Sequence, residues 1–297
     1  MCITSGEARL NNTYVGAWDI EHPEYGYRHV LAYQNRVTNL EEGANCMLLH
    51  IPSTQAIEPD WVLDTSENMD FLRNLYEFLS PQPSNRGFAT RSFEPNYVIE
   101  RGVYHIAILN DLTEAALEAT LEQIPAHKLP KIDWDLLEFF KTAYPNFPLL
   151  LCCFNNKDTK EASPILVHFP PLYPDELMLN TIDSHGGIPN PKRSLNFHQR
   201  LIVGSCKKPA ELVQPYRALP KNFTSSLDAF LPDYAIAVAI AREQKFPNQD
   251  ICIDLKTVHE GQGFTTVLFK NITQPEVAIA SKVFMNFNQT SVIIANN

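Results

Sequence analysis

The feature that most constrains the fold is a continuous apolar run, FPLLLCCF, at residues 147–154. At eight residues the run is too short for a helix that spans a bilayer, which needs about 20 apolar residues. Its length is that of a buried strand. A second run, ILVHF, follows it across the polar turn NKDTKEA. Since neither run alternates with polar residues, we expect the sheet that holds them to be covered on both faces. Cys152 and Cys153 then point to opposite faces, as core thiols.

The remaining patterns predict an α+β fold, with a mixed, mainly antiparallel sheet system and helices packed on it. Period-two or apolar segments predict strands, and apolar residues at helical spacing predict helices. The predicted strands are 13–18, 28–37, 45–51, 196–205 and a hairpin reversing near Gly102, and the predicted helices are 66–80, 111–124, 133–144 and 225–246, the last interrupted by Pro232. We expect one domain over residues 1–297. The loop-rich region near 170–220 is where a subdivision would fall.

Composition and motifs exclude several functional classes. The formal net charge is -10 and no block of Lys and Arg occurs, so we expect no nucleic-acid partner. The chain shows neither a secretory signal nor a membrane-spanning run, which predicts a cytoplasmic protein without a membrane partner. Six scattered cysteines without a CxxC pair fit reduced thiols. GxGxxG, GxxxxGKS, HExxH and Cys-His zinc patterns are absent, so no cofactor and no metal are predicted.

The first residues, MCITS, place a cysteine directly behind Met1. If Met1 is removed, Cys2 carries a thiol and an α-amine whose pKa of about 7.7–8.0 lets it accept the thiol proton. This start resembles that of the cysteine-type N-terminal nucleophile hydrolases, among them glutamine amidotransferase domains and the bile-salt or penicillin V acylase group. The resemblance covers only the first few residues. Ile3 replaces the amidotransferase glycine, and no Arg precedes Asp19 in AWDIEH, where the acylases place an Arg and an Asp.

The resemblance implies an amidohydrolase that acts on a small amide, with Cys2 as nucleophile and its own α-amine as base. Candidate helper groups are Arg9, Asp19, Asn35 and Asn155. The two asparagines stand at or just past predicted strand ends, where a side-chain amide could donate to an oxyanion. The alternative is that Cys2 is an ordinary small residue and that the asparagines are turn residues. The overall layout is also similar to that of uncharacterised bacterial and protist proteins that start Met-Cys.

A second candidate site is the segment TIDSHGGIPNPKRSLNFHQR, which contains Asp183, His185 and His198. An Asp with two His could bind a metal, or His185 could be the base of a thiol hydrolase or transferase that uses an internal cysteine such as Cys206. The spacing matches no recognised metal motif, and a structural loop is the alternative. Loops on rigid scaffolds often carry function.

A non-catalytic function is the remaining hypothesis. The Pro-rich segments near residues 81–97 and 170–195 would then be loops that contact another protein. The predicted partner is therefore either a small-molecule amide or a protein.

Overall fold

The computed structural model describes residues 3–80, 98–208, 217–220, 223–224, 226–239, 245–260, 266–270 and 278–282. Its strands are β1 (Ile3–Thr4), β2 (Ala8–His22), β3 (Gly26–Asn39), β4 (Asn45–His50), β5 (Val98–Arg101), β6 (Tyr104–Leu109), β7 (Leu149–Phe154), β8 (Lys160–Glu161), β9 (Ile165–Phe169), β10 (Glu176–Leu179), β11 (Ser184–His185), β12 (Ser194–Asn196), β13 (Arg200–Ser205), β14 (Arg217–Ala218), β15 (Tyr234–Ala239), β16 (Lys245–Pro247), β17 (Ile251–Asp254), β18 (Thr266–Lys270) and β19 (Ala278–Lys282). Its helices are α1 (Phe71–Leu79), α2 (Glu114–Leu121), α3 (Trp134–Ala143) and α4 (Leu255–His259).

The described strands form four sheets, and the two larger ones contain both parallel and antiparallel pairs. A six-stranded sheet has the order β11-β1-β4-β7-β6-β5, and a seven-stranded sheet has the order β14-β15-β13-β2-β3-β8, with β9 also paired to β3. Smaller sheets join β10-β17-β18-β19 and β12-β16. Strand β1 runs parallel to β11, and β13 runs parallel to β2, whereas the other pairs described are antiparallel. The predicted mixed, mainly antiparallel sheets are confirmed, and the described chain is richer in strands than in helices.

The apolar run at 147–154 forms β7, and its two faces contact different parts of the core. All six residues of β7 are buried. Leu150, Cys152 and Phe154 join a cluster that also contains residues of the seven-stranded sheet. Leu149, Leu151 and Cys153 join a second cluster, which includes residues of α2 and α3. The prediction of a sheet covered on both faces is therefore confirmed, and the two adjacent cysteines lie on opposite faces.

The seven-stranded sheet is also buried on two faces, because the side chains of β2 alternate between clusters. Val15 and Ala17 face the cluster shared with β7. Trp18 and Ile20 belong to a third cluster, with α1 residues such as Phe71.

None of the helices in the described ranges combines the length and apolarity needed to cross a bilayer.

The hairpin between β5 and β6 confirms the predicted reversal at Gly102. This residue has a φ of 57°, in the left-handed region that glycine adopts without steric cost. A Cβ atom at this position would lie 2.4 Å from Ser163 Oγ, so the close approach of a neighbouring segment also favours glycine.

The helix predicted over 225–246 is wrong. Residues Tyr234–Ala239 form strand β15, which pairs antiparallel with β13 and β14. The segment AIAVA satisfies either period, and the pairing with β13 and β14 decides between them. Ile236 and Val238 face the core cluster shared with β7, and Ala235 faces the cluster shared with α1, which is a period of two.

Candidate functional site

Strand β1 brings the N-terminal segment and the second candidate site together. It lies between β4 and β11, with Ile3 opposite Ser184 and Thr4 opposite His185 in the parallel pair. Cys2 and the segment 81–97 lie outside the described residues. Ile3 and Thr4 are buried, so the described chain begins inside the six-stranded sheet.

The four predicted helper residues have four different surroundings. Arg9 is exposed on β2, opposite Thr38 of β3. The sequence predicts that Asn35 stands at the end of a strand. In the structure Asn35 lies inside β3, because this strand continues to Asn39. The Tyr104 hydroxyl donates to Asn35 Oδ1 at 2.9 Å, and Asn35 Nδ2 donates to the sulfur of Met47. The side chain of Asn35 therefore links Tyr104 and Met47 within the core.

Asn155 follows β7 as predicted, and its amide also has structural partners. Its Nδ2 donates to the His127 carbonyl at 2.8 Å, and its Oδ1 accepts from Asn39 Nδ2 at 3.3 Å.

The side-chain amide of the buried Asn45 holds the chain that follows β1. Its Oδ1 accepts from Ser5 Oγ and from Gly6 N, each at 3.0 Å, so it fixes the turn that follows β1.

Asp19 is fully buried and faces a cysteine and a histidine. Cys206 Sγ donates to Asp19 Oδ2 at 3.2 Å, and His259 Nε2 lies 3.9 Å from the same oxygen. His259 Nε2 also lies 3.0 Å from Ser205 Oγ. The parallel register of β13 and β2, with Gly204 opposite Trp18, carries Ser205 and Cys206 to Asp19.

The surroundings of Cys206 keep its thiol protonated. Burial raises the pKa of Cys206 to about 12, together with the charge of Asp19, whose side chain accepts a hydrogen bond from the thiol. A cysteine nucleophile requires the opposite shift, since the thiolate is the reactive form. Burial lowers the pKa of the neighbouring His29 to about 4, although Asp19 opposes that shift. The thiol of Cys206 and the imidazole of His29 are therefore held in their neutral forms beside the buried Asp19.

His185 contacts Asp183, while Cys206 lies beside Asp19. The distance from His185 Nε2 to Asp183 Oδ1 is 3.3 Å, and both side chains are partly exposed. His198 is exposed between β12 and β13. Within the described ranges, no three His, Cys, Asp or Glu side chains are grouped so that they could hold a metal ion.

Among the described residues, the most deeply buried contact between an imidazole and a carboxylate joins His50 of β4 to Asp250, just before β17. Their Nε2 and Oδ2 atoms are 2.6 Å apart. The same carboxylate accepts from the Tyr144 hydroxyl at 2.5 Å and from the backbone N–H groups of Thr181 and Ile182. Burial alone would raise the pKa of Asp250, but His50 and the hydrogen bonds hold it below its ordinary value. This network has no opening to solvent and stabilises the core.

The 184–193 loop, which contains β11, is held by the side chain of Asn248. The amide of this buried residue bonds both backbone groups of Asp183: its Oδ1 accepts from Asp183 N at 2.7 Å, and its Nδ2 donates to Asp183 O at 2.8 Å. Nδ2 also lies 3.2 Å from the Asn190 carbonyl, and Asn248 N donates to Arg193 O at 2.9 Å. One residue therefore fixes the start, middle and end of the loop.

The same loop exposes an apolar side chain at a rigid position. Ile188 is 53 % exposed, between Gly187, with a φ of 92°, and the buried Pro189. Gly186 has a φ of 94° and donates its N–H to Thr4 O at 3.1 Å. The backbone needs glycine at both positive-φ positions, and proline fixes the direction of the chain after the isoleucine.

The loop also differs in charge from the rest of the chain. Residues 184–200 contain Lys192, Arg193 and Arg200 but no Asp or Glu, whereas the chain as a whole has a formal net charge of -10. Lys192 and Arg193 are exposed. The loop is therefore a basic region with an apolar tip on an acidic protein.

A cavity of about 780 Å³ lies between the turn after β1 and the start of α3. Its lining includes Ser5, Gly6, residues 41–44 and residues 131–135. Trp134 is 44 % exposed, which is unusual for so large an apolar side chain. The lining contributes four carboxylates and one ammonium group, which are Glu41, Glu42, Asp133, Asp135 and Lys131.

Two of these carboxylates are already used by the backbone. Glu41 Oε1 accepts from Glu7 N at 2.7 Å, and Asp133 caps α3 by accepting from Leu136 N at 3.1 Å. Glu42 and Asp135 are exposed and form no hydrogen bond or ion pair with any other described residue. These two side chains define the negative charge that the cavity offers to a ligand.

Comparison with known proteins yields only distant structural similarity. No protein-family model matches the chain, and no curated protein matches it. The chain is similar to the crystal structure of baculovirus P35, with a TM-score of 0.40, 13% identity and coverage of 86% of this chain and 92% of that chain. It is also similar to a mutated baculovirus P35 after caspase cleavage, with a TM-score of 0.37, 12% identity and coverage of 93% and 89%. These TM-scores and identities are too low to transfer a fold or a function to this chain.

Proposed function

We propose that the chain is a non-catalytic binding protein that contacts another protein through the 184–193 loop, called the recognition loop below. The observation that carries this proposal is the set of hydrogen bonds by which the buried Asn248 holds the loop around the exposed Ile188. A loop that is already ordered loses little conformational entropy when it binds.

The composition of the recognition loop also supports a protein partner. Binding energy at protein interfaces is concentrated in a few anchors that enter pockets of the partner, and arginine is enriched among them. Ile188 is an apolar anchor on a fixed backbone, and Lys192 and Arg193 provide charge beside it. These features are typical of a convex surface that enters a concave one.

The state of the described thiols favours a non-catalytic function. Burial raises the pKa of Cys46 to about 12 and that of Cys153 well above its ordinary value. Burial and Asp19 do the same for Cys206. The five described cysteines are free thiols, which supports the proposal of a reducing, cytoplasmic compartment. The net charge of -10 supports a protein partner over a nucleic acid.

A photo-crosslinking amino acid at position 188 tests this proposal in cells. We expect discrete protein adducts from position 188, and their loss when Asn248→Ala is added. The matched control is the same amino acid at Leu129, another exposed apolar position at 41 % exposure. Equal adduct patterns from the two positions, or no adduct from position 188, would contradict the proposal.

The second candidate is the cysteine N-terminal nucleophile amidohydrolase with Cys2 as nucleophile. The observation that favours it is the parallel pairing of β1 with β11, which places the strand that carries His185, with Asp183 beside it, next to the N-terminal strand. In this candidate the α-amine of Cys2 stays the base, and His185 is a polar side chain near the N-terminal strand that could hold the α-amine or donate to an oxyanion.

Intact mass spectrometry and alkylation kinetics test this candidate. It requires that Met1 be absent and that Cys2 be alkylated much faster than the other cysteines, with Cys2→Ala as the control. Retention of Met1 would refute it without affecting the binding proposal.

A further inference from the structure

The recognition loop and the cavity share a border. The chain leaves β1 through Ser5 and Gly6, which line the cavity. Gly186, at the start of the loop, bonds the Thr4 carbonyl, and a Cβ atom at Gly186 would lie 3.5 Å from both Gly6 C and Glu7 N. A convex element and a concave element therefore lie side by side on one surface.

These two neighbours have complementary chemistry. The loop exposes Ile188 with the cations of Lys192 and Arg193. The cavity exposes the indole of Trp134 with the two uncommitted carboxylates of Glu42 and Asp135. The loop thus offers an apolar side chain and two positive charges, and the cavity offers an aromatic side chain and two negative charges.

The two elements do not satisfy each other within one chain. Ile188 remains 53 % exposed and Trp134 remains 44 % exposed. The hydrogen bonds to Asn248 fix the loop, so it does not fold over into the cavity of its own chain. The complementary partner must be supplied by another molecule.

We propose that this molecule is a second copy of the chain, and that two copies form a two-fold symmetric dimer in which each recognition loop enters the cavity of the other. A two-fold interface requires a self-complementary surface, which a convex element beside its own complement provides. The proposal rests on the binding function proposed above, because it names the partner of the same loop.

In this dimer Ile188 packs against Trp134 of the other copy. Lys192 and Arg193 face the carboxylates of Glu42 and Asp135. Lys131, the one cation of the cavity lining, opposes this attraction, while Glu41 and Asp133 add negative charge that is already hydrogen-bonded. Because these charges are exposed, the dimer weakens as the salt concentration rises.

The experiment uses two charge-reversed variants and sedimentation velocity. One variant carries Lys192→Glu and Arg193→Glu, and the other carries Glu42→Lys and Asp135→Lys. In each homodimer both loop-cavity contacts become repulsive, so we expect self-association at least roughly tenfold weaker than that of the wild type. In an equimolar mixture both contacts of the heterodimer are attractive again, so dimers return.

The control variant is Lys256→Glu with Glu260→Lys, which exchanges the charges of an exposed pair on α4 and should leave the association constant unchanged. Restoration in the mixture also shows that the reversed variants are folded. A wild type that stays monomeric at high concentration, or a dimer that the reversals do not weaken, overturns the proposal, as does a mixture without dimers. If the wild type is monomeric while position 188 still crosslinks to a different protein, the dimer is refuted and the binding function stands.

Discussion

The imidazole of His50 and the carboxylate of Asp250 meet at 2.6 Å, with at most 1 % of either side chain exposed. These residues are 200 positions apart, so the pair links β4 of the six-stranded sheet to the segment before β17. A buried charge is tolerated only when it is paired and hydrogen-bonded. Asp250 meets that condition through four donors, and the resulting network fixes the segment before β17 to the sheet that contains β1.

Removal of the Asp250 charge should destabilise the protein strongly. Asp250→Asn leaves the His50 imidazole without its partner, and breaking a buried pair in this way costs about 3–5 kcal/mol. Urea unfolding measures the change. Tyr144→Phe, which removes one donor and leaves the pair, is the control and should cost about 2 kcal/mol. Equal losses in the two variants would show that the ion pair adds nothing beyond its hydrogen bonds.

The stabilisation by Asp250 should also depend on pH in a defined direction. The pKa of Asp250 is lower in the folded protein than its ordinary value, so the unfolded chain binds the proton more tightly. The contribution is therefore complete above about pH 3.9 and is lost as the pH falls through the folded-state pKa. The difference in unfolding free energy between the wild type and Asp250→Asn should stay constant above this range and shrink below it.

Replacement of His168 by phenylalanine should stabilise the protein, and more so at pH 5 than at pH 8. Neither ring nitrogen of this fully buried histidine has a hydrogen-bond partner in the described part of the chain. Burial, with the nearby Arg28 and His22, lowers its pKa to about 4. As the pH falls below about 6.5, His168 takes up a proton in the unfolded chain but stays neutral in the folded protein. The wild type therefore loses stability between about pH 6.5 and 4.

Chemical denaturation of His168→Phe at several pH values checks this prediction. The aromatic ring of Phe230, whose centroid is 4.8 Å from that of His168, packs against either side chain. A variant that is less stable than the wild type at pH 5 would show that His168 has a partner which the packing does not reveal.

Alkylation of Cys206 should be slow despite its partial exposure. With a pKa of about 12, its thiolate is scarce at pH 8, and the rate should be roughly tenfold or more below that of a cysteine in the unfolded chain. Asp19→Asn removes the carboxylate that helps to raise the pKa of the thiol, so it should increase the rate. His259→Gln, which leaves Asp19 in place, serves as the comparison. Fast alkylation of the wild type would contradict the raised pKa and would make Cys206 a candidate nucleophile.

Substitution of Asn248 should loosen the recognition loop. Asn248→Ala removes the side-chain bonds to Asp183 and Asn190, so trypsin should cut after Lys192 or Arg193 at least several-fold faster. Asn110→Ala is a matched control, because Asn110 bonds both backbone groups of Ile57 in the same manner at a different loop. Unchanged cleavage in Asn248→Ala would mean that the glycines and prolines suffice to order the loop.

The sequence predicts those parts of the fold that depend on local pattern. The apolar run of β7, the hairpin at Gly102 and the early strands β2, β3 and β4 follow from composition and period. The strand β15 does not, because alternating Ala with Ile and Val fits a helix as well as a strand. Only its neighbours β13 and β14 decide the outcome.

The candidate site is less predictable, since its bonds join distant segments. Asn45 and Asn248 resemble ordinary turn residues in the sequence, and their importance comes from backbone groups 39 and 65 positions away. The thiol of Cys206 meets Asp19 across 187 positions. The segment 183–200 did stand out for its glycines, prolines and histidines, but the sequence suggested chemistry at His185 and gave no reason to choose Ile188.

The position of β1 between β4 and β11 has a consequence for how the chain folds during its synthesis. One of the two neighbours of the strand Ile3–Thr4 is Ser184–His185, which lies 181 positions further along the chain (Ile3 to Ser184). Pairings between such distant segments are slow to form and leave strand edges exposed in the meantime. Strand β1 therefore cannot pair with β11 until Ser184–His185 has been synthesised, and until then this edge of β1 stays open to contacts with other chains.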